Sequence, residues 1–213
     1  MGNVFISGGA GFMGQALTRE LLARGHTVAV LARPGSASKV PSGARIVAGH
    51  PLDASTFSAQ VAPADTLVHL AGVTKPAPWK EREFRAADLL SVQQSIRAAQ
   101  AAGIHHFVYV SVAQPAPVMQ AYIRVRQECE ALIEKTGILH TFLRPWYVLG
   151  PGRQWPLILV PLYKLMEALG SESAVRLGLV TLPEMIGTLV WAIENPGSRI
   201  LSVPDIRRIG AQE

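Results

Sequence analysis

Short apolar runs alternate with amphipathic segments along most of the chain. The run Asn3–Ser7 is rich in β-branched and aromatic residues and predicts a strand, whereas the apolar positions from Met13 to Leu22 recur at helical spacing. The alternation then continues as far as Leu143. It predicts further strands at His26–Ala32, Arg45–Ala48, Thr66–Leu70, His106–Val110 and Leu139–Leu143, and further helices at about Ala54–Gln60, Lys80–Ala102 and Val118–Lys135.

The predicted strands are apolar on both faces, which is typical of a parallel sheet with helices on both sides. Strands that alternate with helices in this way predict an α/β fold with a doubly wound parallel sheet. After Arg144 the pattern changes, because prolines interrupt the chain at Pro145, Pro151, Pro156 and Pro161. We therefore expect a main domain over residues 1–150 and a small C-terminal lobe over residues 151–213. The lobe should pack on the same domain, over the carboxyl edge of the sheet.

The predicted elements of the lobe are two helices, Leu157–Leu169 and Leu182–Glu194, and a short strand near Arg199–Val203. The apolar stretch Trp155–Leu169 contains Lys164 and Glu167 and is shorter than the ~20 residues that cross a bilayer. It favours a core or a dimer face, so a homodimer is one expectation. Since the N-terminus also lacks the zones of a signal peptide, we expect a cytoplasmic protein without a membrane partner.

Composition supports a compact protein with a small anionic ligand. Apolar residues make up 49% of the 213 residues and charged residues only 16%, which excludes a disordered chain. The formal net charge is +5 and no basic run stands out, which disfavours a nucleic-acid partner. The single cysteine, Cys129, excludes an internal disulfide and is interpreted as a small buried apolar residue. His105 and His106 lack companion ligands at metal spacing, so no metal is expected.

A glycine-rich loop, GGAGFMG, lies between the first predicted strand and the first predicted helix. Glycines in this context allow a tight turn and a close approach of a pyrophosphate, while the helix N-terminus supplies N–H donors. The loop therefore predicts a dinucleotide site on a Rossmann-type domain, with a purely structural glycine turn as the alternative. The expected cofactor contacts on the loop are Gly8, Gly11, Phe12, Met13 and Gly14.

The residue that ends the second strand of such a domain meets the adenosine ribose and influences the choice of cofactor. Arg33 takes that place, and Lys39 adds a second cation nearby. Arginine suits the 2′-phosphate of NADP(H), whereas an acidic residue would suit the free hydroxyl of NAD(H). We therefore expect NADP(H) to be favoured, with NAD(H) as the alternative cofactor and a solvated loop arginine as the alternative interpretation of Arg33.

With these motifs the chain resembles the short-chain dehydrogenase/reductase superfamily, and within it the atypical group related to NmrA-like and sugar-nucleotide-epimerase-like proteins. The resemblance covers Asn3 to Gly152. Besides the glycine loop, it is carried by the VHLAG sequence of Val68–Gly72, by Ser111, by the pair Tyr122 and Arg126, and by the LRPWYVLGPG sequence of Leu143–Gly152.

The resemblance implies further cofactor contacts. Ala71 and Gly72 follow the fourth strand and correspond to residues that line the cofactor, while the segment by the nicotinamide corresponds to Pro145, Trp146 and Tyr147. After the third strand, where relatives usually carry an acidic residue near the adenine, this chain has a GHPLD sequence. Asp53 at its end is therefore assigned to the cofactor site, with a helix N-cap as the alternative role.

The catalytic YxxxK pattern of the superfamily corresponds here to Tyr122 and Arg126, so arginine replaces lysine. Residues four apart share a helix face, and a fixed cation beside a phenol should lower its pKa toward neutral pH. Ser111 would bind a substrate carbonyl. The alternatives are a core role for Tyr122 and an ion pair of Arg126 with Glu130.

These residues predict an oxidoreductase that uses NAD(P)(H) on a small carbonyl or alcohol substrate. Ser111, Tyr122 and Arg126 are the candidate catalytic residues. Because the lysine of the pattern is replaced, a dinucleotide-binding sensor or scaffold without turnover is a second hypothesis. An isomerase of the epimerase type, which uses a bound cofactor transiently, is a third.

Overall fold

A parallel sheet forms the centre of the molecule in the computed structural model, which describes residues 1–73, 76–151 and 176–212. The strands are β1 (Asn3–Ser7), β2 (Thr27–Ala32), β3 (Arg45–Ala48), β4 (Thr66–His69), β5 (His106–Val110), β6 (Leu139–Leu143), β7 (Tyr147–Leu149), β8 (Leu179–Thr181) and β9 (Arg199–Leu201). Within the described residues, seven of them pair in the order β3-β2-β1-β4-β5-β6-β9, and β7 pairs with β8 in a separate parallel ribbon.

The helices that connect the strands lie on both faces of the sheet. They are α1 (Phe12–Ala23), α2 (Glu81–Glu83), α3 (Leu90–Ala102), α4 (Gln120–Glu134), α5 (Leu182–Glu194) and α6 (Val203–Gly210). A π-helical turn, Phe84–Leu89, joins α2 to α3, and 3-10 turns occur at Pro34–Lys39, Ala54–Thr56, Ser58–Gln60 and Pro78–Lys80. The predicted helices at Ala54–Gln60 and Lys80–Ala102 are thus divided into shorter pieces.

The sheet separates two apolar cores, because successive side chains of a strand point to opposite faces. Ile6 of β1 packs with Leu17 of α1 and Leu189 of α5 on one face. Its neighbour Phe5 packs with Val92 of α3 on the other face. The two faces together give the predicted doubly wound α/β fold, which the structure confirms.

The described C-terminal residues join the central sheet and one of its two cores, while the division of the chain near residue 150 stays a prediction. Strand β9 pairs in parallel with β6, with Thr141 opposite Arg199. Ile206 of α6 is fully buried in the same core as Leu17. Helix α5 packs against α1, and α6 packs against α5, which covers the apolar faces of both C-terminal helices. The predicted helix Leu157–Leu169 lies outside the described residues.

Candidate functional site

The glycine loop after β1 is shaped by close backbone contacts. Gly8 has a φ of +88°, and its carbonyl oxygen accepts a hydrogen bond of 3.0 Å from the Gly11 N–H. A Cβ atom on Gly8 would lie 2.6 Å from the Ala71 backbone nitrogen, and one on Gly14 would lie 2.4 Å from the Gly8 oxygen. These two positions therefore require glycine for the fold itself.

Gly11 has a different environment, which suits ligand binding. It is exposed and begins α1 without a side-chain cap, and the first turn of this helix contains no acidic residue. A helix N-terminus in this state presents backbone N–H donors and the positive end of the helix dipole. These features support the predicted role of the loop in pyrophosphate binding, which stays a prediction.

A cavity of about 620 Å³ lies against the carboxyl ends of the central strands. This is the edge at which open α/β sheets bind ligands. With one exception, all the residues predicted for the cofactor and for catalysis line it. They are Gly8, Gly11, Phe12, Met13, Gly14, Arg33, Ala71, Gly72, Ser111, Tyr122, Arg126, Pro145, Trp146 and Tyr147.

Asp53 is the exception, since it does not line the cavity. Its carboxylate accepts hydrogen bonds from the Ser55 backbone N–H at 3.0 Å and from the Ser55 hydroxyl at 2.7 Å. Asp53 therefore caps the 3-10 turn Ala54–Thr56, which was the alternative role for this residue. The preceding residues His50, Pro51 and Leu52 line the cavity instead.

The cationic end of the cavity lies where β2 and β3 end. Arg33 and Lys39 are exposed, and they line the cavity together with Ser36. Arg33 precedes the 3-10 turn Pro34–Lys39, Ser36 lies within it, and Lys39 ends it. The turn is closed by the Ser36 N–H, which donates to the Arg33 carbonyl at 2.8 Å. Two cations and a hydroxyl are thus held on one short turn beside the cavity. Serine was not singled out from the sequence.

Ser111 and Tyr122 lie at the other end of the cavity. The Ser111 N–H donates to the Leu143 carbonyl at 2.7 Å, which holds the residue beyond the end of β5. Its hydroxyl is buried and has no hydrogen-bond partner among the described residues. The Tyr122 ring packs against Phe84 with a centroid distance of 4.9 Å. A buried, unpaired hydroxyl in a ligand cavity is a candidate for contact with a substrate or cofactor.

Arg126 is held in a buried polar cluster next to Tyr122. Its Nη2 group donates to Asp88 at 2.7 Å, and its Nη1 group donates to the Tyr109 hydroxyl at 2.9 Å and to the Val110 carbonyl at 3.0 Å. The guanidinium carbon also lies 4.9 Å from the centre of the Tyr122 ring. Its main partner is therefore Asp88, and the alternative pair with Glu130 is not formed, because Glu130 binds Arg144 at 2.6 Å.

The pKa of Tyr122 differs from the expectation. Burial raises the pKa of this hydroxyl above its usual value, and Arg126 opposes that rise only in part, while Asp88 adds to it. The predicted lowering toward neutral pH is therefore wrong, because desolvation disfavours the phenolate more than the paired arginine favours it. Tyr122 keeps its proton at neutral pH and is suited to donate it.

Asp88 is a site residue that the sequence did not reveal. It is fully buried on the π-helical turn, and besides Arg126 it accepts a hydrogen bond of 3.1 Å from the Val73 N–H. A Cβ atom on Gly72 would lie 2.3 Å from its carboxylate, so glycine is needed there. Burial raises the pKa of Asp88, and the guanidinium of Arg126 opposes the rise. Helical periodicity carries no signal for a π turn, which explains why this residue was missed.

The described residues contain neither a metal-binding cluster nor a membrane-spanning helix. No group of three or more His, Cys, Asp and Glu side chains there is placed to hold a metal ion. None of the helices in residues 1–73, 76–151 and 176–212 has the length and apolar character needed to cross a membrane.

A parallel sheet with a glycine turn after β1 and a cavity at its carboxyl edge defines a dinucleotide-binding protein of the Rossmann type. Residues 8–154 match the model of the NAD(P)H-binding family, which is more than half of the chain. The chain belongs to this family and contains an NAD(P)-binding domain, as predicted from the glycine loop.

Curated relatives include dehydrogenases and reductases. The 3 beta-hydroxysteroid dehydrogenase/Delta 5→4-isomerase of Mycobacterium tuberculosis is 32% identical over 118 residues, which is 52% of this chain and 32% of that protein. A 4-hydroxy-2-methyl-3-oxo-4-farnesyl-3,4-dihydroquinoline-1-oxide ketoreductase of Stigmatella aurantiaca is 35% identical over 109 residues, which is 50% of this chain and 32% of that protein. The matches thus span about a third of these relatives' own length.

Solved structures with the same fold include enzymes bound to NAD. The enzyme WbmH of Bordetella bronchiseptica in complex with NAD+ has a TM-score of 0.72 and 19% identity, over 95% of this chain and 75% of that one. The UDP-glucose 4-epimerase of Thermus thermophilus in complex with NAD has a TM-score of 0.70 and 18% identity, over 99% and 82%. At this level of identity the likeness shows the fold alone.

Proposed function

We propose that this chain is an oxidoreductase that prefers NADP(H) and reduces the carbonyl group of a small molecule. The observation that carries the proposal is the position of Ser111 and Tyr122, which line the same cavity as the glycine loop. The dehydrogenases and reductases among the relatives support the same class of reaction. The cofactor preference depends on one end of the cavity and the chemistry on the other end.

The preference for NADP(H) rests on Arg33, Ser36 and Lys39. These three side chains can surround a 2′-phosphate, and an arginine on a phosphate forms a charge-assisted contact worth ~1.5–3 kcal/mol. We therefore expect NADPH to bind at least about tenfold more tightly than NADH. Calorimetry on the wild type and on Arg33→Ala measures this ratio.

The ratio of the NADPH affinity to the NADH affinity should fall toward one in Arg33→Ala, whereas it should stay unchanged in Arg19→Ala. Arg19 is a matched control, because it is an exposed arginine on α1 that does not line the cavity. Equal affinities for the two cofactors in the wild type would refute the preference, as would an unchanged ratio in Arg33→Ala.

Carbonyl reduction assigns different tasks to the two hydroxyl groups. The glycine loop and the turn with Arg33, Ser36 and Lys39 would hold NADPH, which would supply the hydride for the carbonyl carbon and be oxidised to NADP+. The Ser111 hydroxyl orients the carbonyl oxygen by a hydrogen bond, and the Tyr122 hydroxyl gives that oxygen its proton, which completes the alcohol. The raised pKa of Tyr122 keeps this proton in place at neutral pH.

Replacing Tyr122 by phenylalanine tests this assignment. We expect Tyr122→Phe to lower kcat for ketone reduction by about 10²–10⁴-fold, because a positioned proton donor is lost. The affinity for NADPH should stay within a few-fold of the wild type, since the phenol is peripheral to the dinucleotide. A reductase whose rate ignores this substitution would not use the proposed site.

A second function, a dinucleotide sensor without turnover, is favoured by the environment of Arg126. The guanidinium is paired with Asp88 and bonded to Tyr109, so the cation that would make Tyr122 more acidic is partly neutralised. A sensor would bind NADPH but oxidise it with no member of a carbonyl panel. The same assay therefore distinguishes the two functions.

A further inference from the structure

The described lining of the cavity divides into a cationic half and a neutral half. The cationic side chains Arg33 and Lys39 lie where β2 and β3 end. The half that lies beyond β4, β5 and β6 is lined mainly by apolar side chains. They include Val73, Pro76, Val112, Trp146 and Val148. Among the described residues, Arg126 is the one cationic side chain that lines this second half.

The charge of Arg126 is cancelled from outside the cavity. Asp88 does not line the cavity, yet its carboxylate lies 2.7 Å from the guanidinium, and the side chains of both residues are less than a tenth exposed. The other terminal nitrogen donates to Tyr109 and to the Val110 carbonyl. The Arg126 Nε group is buried and has no hydrogen-bond partner among the described residues. It is a hydrogen-bond donor of the same guanidinium, so it brings no charge beyond the one that Asp88 offsets.

Polarity in this half is therefore supplied by neutral groups. The hydroxyl of Ser111 and the phenol of Tyr122 match the oxygen of a carbonyl group. The apolar side chains around them match a hydrocarbon body. Among residues 1–73, 76–151 and 176–212, no uncompensated cation lines this half to meet a carboxylate or a phosphate, so burial of such a group there would be costly.

We propose that the substrate is an uncharged carbonyl compound with an apolar body, and that Asp88 determines this selectivity by cancelling the charge of Arg126. The inference rests on the proposed carbonyl reduction at this site. It excludes substrates that carry a phosphate or a carboxylate close to the reacting carbonyl. Asp88 is thus assigned as a specificity-determining residue that acts through Arg126 and does not touch the substrate.

Two ketones of similar shape test the selectivity. 4-tert-Butylcyclohexanone is neutral and apolar, whereas 4-oxocyclohexanecarboxylate carries a charge in place of the butyl group. With NADPH at pH 7.5, we expect kcat/KM to be at least about tenfold higher for the neutral ketone. Calorimetry with the NADP+-loaded protein should show the same order of affinities, and this measurement does not depend on turnover.

Asp88→Asn tests the role of the carboxylate. It frees the charge of Arg126 and should reduce the preference for the neutral ketone by about tenfold, mainly through tighter binding of the carboxylate. Glu20→Gln is a matched control, because it removes one negative charge from α1 outside the cavity lining and should leave the preference unchanged.

Val73→Lys keeps the inference testable if Asp88→Asn does not fold. Val73 is partly exposed and lines the neutral half, so a lysine there should improve binding of the carboxylate relative to the neutral ketone. An unchanged preference in this variant would overturn the inference.

The wild-type results separate the two hypotheses. A wild type that binds the carboxylate as well as the neutral ketone, or that binds neither, would overturn the inference on substrate class. Selective binding of the neutral ketone without any reduction would support the selectivity and refute the reductase function.

Discussion

At the scale of single residues, the contacts of Arg126 decide what the Tyr122 pair can do. The spacing of four residues predicted correctly that both side chains lie together, since the guanidinium packs over the phenol ring. It could not predict Asp88, which is 38 positions away in sequence and reaches Arg126 only through the fold. The direction of the Tyr122 pKa depends on that third residue and on burial, so it could not be obtained from local spacing.

The arginine should be hard to replace by lysine, although lysine is the usual residue of the superfamily pattern. Arg126→Lys cannot donate to Asp88, Tyr109 and the Val110 carbonyl in the same geometry, so buried acceptors lose their partners. We expect a loss of about 1–3 kcal/mol in the free energy of unfolding, measured by urea denaturation.

Arg85→Lys serves as its control. Arg85 also pairs with a carboxylate, Glu128 at 3.0 Å, but both side chains are largely exposed. A surface pair of this kind contributes little, so the free energy of unfolding should change by less than about 0.5 kcal/mol. Equal losses in the two variants would contradict the structural role of the Arg126 cluster.

At the scale of elements, the strands of the central sheet were predicted most accurately. The bounds of β1, β3, β5 and β6 agree with the sequence prediction, because each is an apolar run enclosed by turn residues. The strands β7 and β8 were missed, since three residues give no periodicity. Helix α6 was also missed, although Val203, Ile206 and Ile209 recur at helical spacing after the N-cap Ser202. The 3-10 turn that carries Ser36 and Lys39 was expected only as a loop after Arg33.

The glycine loop should separate binding from folding when two of its glycines are compared. Gly11→Val places its Cβ atom 3.1 Å from the Gly8 oxygen and the rest of the side chain where a pyrophosphate approaches the exposed helix start. We expect this variant to fold but to lose affinity for both NADPH and NADH, as measured by calorimetry.

Gly14→Val should behave differently. Its Cβ atom would lie 2.4 Å from both the Gly8 oxygen and the Gly9 Cα, which are backbone atoms and cannot rotate away. We expect the free energy of unfolding to fall by about 1–3 kcal/mol or more, because the turn cannot relax without moving β1 or α1. If Gly11→Val were the less stable variant, or if it retained cofactor binding, the pyrophosphate would have to lie elsewhere.

At the scale of the whole molecule, one edge of the sheet gathers residues from distant parts of the chain. Because parallel strands present their carboxyl ends together, residues that were predicted separately, from the glycine loop and from the family resemblance, line one cavity. The separation of the cavity into a cationic half and a neutral half could not be predicted. It depends on the order of β2, β1, β4 and β5 in the sheet and on the burial of Asp88 beside Arg126. The place of β9 beside β6 likewise depends on packing between α5 and α1, which no local pattern encodes.

Two histidines buried in the sheet link the stability of the whole molecule to pH. The ring nitrogens of His69 lie 2.9 Å from the Ser95 hydroxyl and 3.3 Å from the Ser91 hydroxyl, and those of His106 include one 2.9 Å from the Thr141 hydroxyl. Burial lowers the pKa of His69 to about 3 and that of His106 to about 4, from 6.5. Both rings are therefore neutral in the folded protein at pH values where the unfolded chain would protonate them.

The sign of the effect follows from proton binding. Below pH 6.5 the unfolded state binds more protons at these histidines than the folded state, so their contribution to stability is complete above that pH and declines as the pH falls toward their folded pKa values. Each histidine should account for a loss of about 1.4 kcal/mol between pH 7.5 and pH 5.5. Urea denaturation at the two pH values measures the total.

Substitutions isolate this contribution from opposing groups. Asp88 acts in the other direction, because its raised pKa means that the folded state holds its proton longer than the unfolded state as the pH rises. In His69→Gln the difference in unfolding free energy between pH 7.5 and pH 5.5 should shrink by about 1.4 kcal/mol, even though the variant is less stable at both. His105→Gln, which replaces an exposed histidine next to β5, should leave that difference unchanged. The same pH dependence in His69→Gln as in the wild type would show that His69 is protonated to the same extent in the folded and unfolded states.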